Sequence, residues 1–167
     1  SMLALALLSP LPRWGLAVLG FGLVFGHNLL TPISFQPGEW GYSLWTLLHD
    51  RNFLLTAEAA AAVGLPAIKV SYPVLPWIGV ILLGYLTGPL YHHSLSSVQR
   101  QRWLIRLGVG ALLLLLCLRG TNLYGETLPW LPQATVLLSL MDVLNFTKYP
   151  PSLNFLLFTL GLMFLLL

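Results

Sequence analysis

The stretch Leu104-Ile-Arg-Leu-Gly-Val-Gly-Ala-Leu-Leu-Leu-Leu-Leu-Cys-Leu118 decides the fold class, because its only charge is Arg106, near the start, where a long side chain snorkels outward to water. Lipid is the solvent such a run suits. A helix of about 20 mostly apolar residues crosses a hydrocarbon core roughly 30 Å thick while satisfying its own backbone hydrogen bonds. The whole chain agrees: of 167 residues 57% are hydrophobic and 8% charged, where a soluble domain carries about a quarter charged residues. Mean hydropathy is +0.82. The expected fold class is all-α, a polytopic transmembrane helix bundle of about four spans plus a partial N-terminal helix.

Upstream of the decisive run, Trp14 to Leu30 reads as the first span, entered through Pro10, Pro12 and Arg13 and interrupted by Gly15, Gly20, Gly22 and Gly26. Pro73 to Tyr91 reads as the second, its prolines tolerated because a helix's first turn needs no N–H partner. The last span begins at Pro150-Pro151-Ser152. Ser1 to Leu8 lacks the basic residues and the cleavage site of a signal peptide, and Leu165-Leu-Leu167 stops inside an apolar run. Residues 1–167 are therefore expected to form a single transmembrane region cut from a longer one, packing against the remaining helices of the same protein. Between the spans, 31–72 and 119–149 read as loops. Short interfacial helices are expected in them, from Trp40 to His49, over the alanine run Ala57 to Val63, and in the apolar segment Thr135 to Leu144.

Charge placement orients these spans. Arg13, Arg100, Arg102 and Arg106 lie in short connections without an acidic residue, while all five acids fall in the two longer loops. The basic turns should face the cytoplasm and the loops outward. With the basic residues dispersed in this way, no nucleic-acid partner is expected, and the lipid bilayer is. Cys117 has no second cysteine to pair with and reads as apolar filler. Gly22-Leu-Val-Phe-Gly26 and Gly84-Tyr-Leu-Thr-Gly88 match the small-xxx-small pattern that admits a close helical neighbour.

Few residues carry chemistry. His27-Asn28 lies near the outward end of an apolar span, where a polar group either lines a cavity as a general base or acyl acceptor, or simply ends the helix with Asn28 bonding its last carbonyls. Lys148 and Tyr149, in Thr147-Lys-Tyr-Pro-Pro-Ser152, precede a helix N-terminus that favours an anion, and also suit interface anchoring, as does Trp77. Arg100, Arg102 and Arg106 could grip the phosphates of a cytoplasmic cofactor, or serve only topology. His92-His93 has no carboxylate or thiolate beside it, and no metal site is expected.

Five stretches resemble one family: Phe25-Gly-His-Asn-Leu-Leu30, Leu44-Trp-Thr-Leu-Leu-His49, Tyr72-Pro-Val-Leu-Pro-Trp-Ile-Gly79 with its continuation to Tyr85, Leu118-Arg-Gly-Thr-Asn-Leu-Tyr-Gly125, and Asn145-Phe-Thr-Lys-Tyr-Pro-Pro-Ser-Leu153. In that order they look like the central to C-terminal part of bacterial multi-pass proteins related to heparan-α-glucosaminide N-acetyltransferase. The resemblance implies an acyltransferase of the bacterial inner membrane, using acetyl-CoA as donor to acetylate a glycan or amino-sugar acceptor on the far side. It further implies that the family's catalytic histidine belongs to helices upstream of these residues. His27, Asn28, Trp77, Arg119, Asn122, Lys148 and Tyr149 then become candidates for the acceptor wall, and Arg100, Arg102 and Arg106 for the donor. A transporter or flippase-like component for a glycan or lipid is the alternative for the same outward polar groups.

Overall fold

A computed structural model describes every residue except Ser94. In chain order its elements are α1 (Met2–Leu8), α2 (Arg13–Gly26) continued by a 3-10 turn (His27–Leu30), α3 (Tyr42–Leu48), β1 (Phe53–Leu55), α4 (Ala57–Ala62), β2 (Ile68–Lys69), α5 (Leu75–Leu86) followed by a 3-10 turn (Gly88–Tyr91), α6 (Ser97–Thr121), α7 (Val136–Val143) and α8 (Leu153–Leu166). The chain is mostly helical, as its composition requires. The two short strands pair antiparallel, Phe53 opposite Lys69 and Leu55 opposite Ile68, a ribbon not anticipated within the loop 31–72. Residues 1–167 divide into two units, Ser1–Leu82 and Leu83–Leu167.

In the first unit, α2 buries Leu16, Gly20 and Val24, four residues apart and therefore on one face. Helix α5 buries Pro76, Gly79 and Leu82. The two stripes meet at glycine: a Cβ on Gly79 would lie 2.9 Å from Leu23 Cβ and 3.0 Å from the Gly20 carbonyl oxygen. Short helices α3 and α4 stand where they were expected. Thr56 caps α4 by accepting from the Ala59 N–H at 3.3 Å.

In the second unit, Ser96 and Gln99 open α6 with a reciprocal capping box, and Asn122 closes it in the left-handed conformation at φ 51°. Between those caps run 25 residues, about 37 Å at 1.5 Å each, longer than the segment expected from hydropathy alone. Helix α6 buries only Leu104, Gly108, Leu115 and Arg119. That stripe packs on α8, where a Cβ on Gly108 would meet Leu165 Cγ at 2.7 Å and the Gly161 carbonyl at 2.9 Å.

The glycines that permit close packing are thus Gly20 with Gly79 and Gly108 with Gly161. Gly22, Gly26, Gly84 and Gly88, expected to admit neighbours, have nothing within 4 Å of where a Cβ would stand. The small-xxx-small spacing recorded a smooth face, and the packed faces of α2 and α5 point elsewhere.

One described helix, α6, is long and apolar enough to cross a membrane, and only 22% of its apolar window is buried. A core helix of a soluble protein hides most of such a surface. The other expected spans begin where the sequence places them but are shorter: α2, α5 and α8 have 14, 12 and 14 residues, against about 20 for a crossing.

Candidate functional site

The buried stripe of α2 ends on a histidine. Leu16, Gly20, Val24 and His27 follow one another on a single face, and His27 is 1% exposed. Its Nδ1–H is directed at two carbonyl oxygens of the last helical turn, Val24 at 2.9 Å and Leu23 at 3.1 Å. Both partners are acceptors, so the proton sits on Nδ1, and in the neutral ring Nε2 carries the lone pair. His27 is therefore both buried and the C-terminal cap of α2, its own ring, and not Asn28 alone, meeting the last carbonyls. Asn28, half-buried, continues into the 3-10 turn.

A second histidine secures the first. His49, at the C-terminal end of α3 and also 1% exposed, donates from Nε2 to the His27 carbonyl oxygen at 3.0 Å. Its ring stacks on Trp45, with centroids 5.0 Å apart and planes 20° from parallel. Trp45 is fixed in turn by its Nε1–H donating to the Ile33 carbonyl at 2.9 Å and by the edge of Phe35. The Nδ1 of His49 lies 3.5 Å from an Asp50 carboxylate oxygen, at the outer limit of a hydrogen bond. Nearby, Tyr42 donates to the Phe53 carbonyl at 2.7 Å. Residues of the loop 31–72 thus close over the end of α2. Trp77, half-buried in the first turn of α5, makes no hydrogen bond among the described residues.

In the second unit Arg119 behaves differently from a wall residue awaiting a ligand. It is 3% exposed, and its guanidinium donates to the carbonyls of Val143, Leu128, Asp142 and Asn145 at 2.9, 2.9, 2.9 and 3.2 Å. Four of the five N–H donors an arginine possesses are consumed this way. The ring of Phe146 lies 5.8 Å below. Asn122 is also spent, exchanging two hydrogen bonds with the backbone of Trp130, whose indole N–H caps the Arg119 carbonyl at 2.8 Å. Both residues organise the loop 122–146.

The start of α8 already holds an anion. Glu126 accepts from the Thr147 N–H at 3.1 Å and from the Ser152 hydroxyl at 2.9 Å, while Ser152 caps the helix by accepting from the Phe155 N–H at 3.0 Å. The helix dipole favours a carboxylate there. Lys148 beside it is exposed, and its ammonium engages nothing among the described residues. Tyr149 is half-buried.

The three arginines in the N-terminal part of α6 do not act alike. Arg100 lies over the ring of Tyr91 at 5.5 Å and Arg106 over Trp103 at 5.3 Å. Arg102 is exposed, and with Arg106 four residues on it shares one helix face. His92 and His93 stand edge to face at 6.2 Å.

Sequence reasoning found His27 but missed His49, Trp45 and Glu126 as its counterparts in organising these sites. A second buried imidazole, placed between an aromatic and an acid in the loop, was the available signal for the first two. Compared with protein-family models, with curated proteins and with solved structures, the chain shows no match to any.

Proposed function

We propose that this chain is part of a multi-pass membrane acyltransferase of the bacterial inner membrane, one that moves acetyl from acetyl-CoA to a sugar amine or hydroxyl across the bilayer. In this reading α6 spans, and α2 and α5, each lengthened by its 3-10 turn, span with it, as does α8. The observation that carries the reading is the buried His27, because an imidazole at the end of an apolar packed helix is costly to keep without a task. Its Nδ1 is held by the last carbonyls of α2, which fixes the ring as part of the acceptor wall, while the catalytic histidine belongs to helices upstream of these residues. The resemblance of five segments to glucosaminide acetyltransferase relatives supplies the reaction class. Lys148 and Tyr149 serve the acceptor. Arg102 and Arg106, adjacent cations on the basic face, suit the diphosphate of coenzyme A.

The test is acetyl transfer from labelled acetyl-CoA by the protein containing this chain, in lipid. His27→Asn retains a donor where Nδ1 stands and removes the imidazole ring. The expected loss is about ten-fold, the scale of one hydrogen bond in the acceptor wall, with folded yield unchanged. Lys148→Ala should lower transfer similarly. Activity and yield falling together in both variants would leave these residues a structural role only. Absence of coenzyme A binding and of transfer to any amine or hydroxyl would favour transport of a glycan or lipid instead.

A further inference from the structure

We infer that the open pocket beside α7 binds the primary-ammonium headgroup of a lipid. It has a volume of about 540 Å³ and is lined by Gln133, Leu138, Met141, Asp142, Leu144 and Asn145. None of these belongs to the acceptor wall described above.

The polar edge selects a donor cation. Asp142 is held in place through one oxygen, which accepts from the Leu131 N–H at 2.8 Å and the Gln133 side-chain amide at 3.3 Å. Its other oxygen takes part in neither bond, and no cationic side chain pairs with it among the described residues. Asn145 lines the same pocket, and its main-chain carbonyl is pinned by Arg119. A carboxylate and an amide oxygen attract an ammonium that has hydrogens to donate. They repel a bare phosphate, and a quaternary ammonium has no hydrogen to give them.

The floor selects a lipid. Leu138, Met141 and Leu144 are 46%, 60% and 58% exposed, an apolar surface that a small polar amine would leave wet. Arg119 bonds the carbonyls of Asp142, Val143 and Asn145 from the last turn of α6. With α6 across a bilayer, the pocket therefore lies at the depth of that helix's end, where headgroups are. The inference rests on α6 spanning a membrane and is independent of acyl transfer.

The experiment is native mass spectrometry of the full chain released from detergent carrying equal amounts of phosphatidylethanolamine, phosphatidylcholine and phosphatidylglycerol. Retained phosphatidylethanolamine is expected to exceed phosphatidylcholine about five-fold, the modest value of a charge pair in an open pocket. Asp142→Asn should bring the two to parity, since the amide can still receive the Leu131 N–H. Met141→Gln, on the exposed floor, should lower retention of both and keep their ratio. Equal retention by the native chain, or a preference surviving Asp142→Asn, overturns the site. Displacement by free glucosamine would reassign the pocket to a soluble amine and overturn the lipid. Retention of no lipid at all would instead sink the membrane placement of α6.

Discussion

Two cations, Arg119 near the end of α6 and Lys148 ahead of α8, show how little residue type says about role. Arg119 and Lys148 were both read as wall residues, yet one has its guanidinium filled by four carbonyl oxygens and the other is exposed. Replacing Arg119 with Lys supplies three donors in place of five and loses the planar fork, leaving buried carbonyls unpaired. Arg119→Lys should destabilise the second unit by about 3 kcal/mol, visible as a lowered melting temperature in detergent and as new protease cleavage within 122–135. Lys148→Ala should leave both unchanged. His27 was legible because a lone imidazole closes an apolar run. The His49 contact was not, since it joins residues 22 apart and depends on the path of an intervening loop. Glu126 was hidden for the same reason, 26 residues from the serine it serves.

At the scale of elements, helix starts were the most readable features, because each is written in adjacent residues: Ser96 with Gln99, Thr135, and Ser152 after its prolines. Ser152→Ala removes the cap and one ligand of Glu126 together and should cost about 1 to 2 kcal/mol in thermal unfolding. Glycine spacing misled, since the pattern names a small face but not what lies opposite. Gly108→Ala drives a Cβ into Leu165 and the Gly161 carbonyl and should cost about 2 kcal/mol. Gly22→Ala and Gly84→Ala meet open space and should be neutral or slightly stabilising in this chain. A loss at Gly22 or Gly84 in the same unfolding assay would reveal a neighbour packed there. The β1–β2 ribbon was illegible because two and three residues carry no periodicity.

For the whole molecule, the orientation proposed from the charge asymmetry has the α6 N-terminus in the cytoplasm and the loop after it outside. In a Cys117→Ser background, a cysteine at Ser97 should resist an impermeant maleimide added to intact cells, and one at Thr127 should react. The reverse pattern would invert the orientation and with it the assignment of Arg102 and Arg106 to the donor side. Native Cys117 should resist labelling until the membrane is dissolved. Composition made the helical character plain, whereas the lengths of the apolar helices were obscured by 3-10 turns that interrupt apolar runs at His27 and Gly88.

The carbonyls that receive Arg119 lie between 9 and 26 residues further along the chain. Synthesis runs from N- to C-terminus, so the guanidinium leaves the ribosome before any of its four acceptors exists and must stay hydrated while they are made. The C-terminal end of α6 is therefore unable to settle when its own apolar run is complete. Its guanidinium is withdrawn from water only once residue 145 has emerged and folded back, so if α6 spans as proposed, its final depth is a matter of timing set by its successor as well as by its own hydropathy.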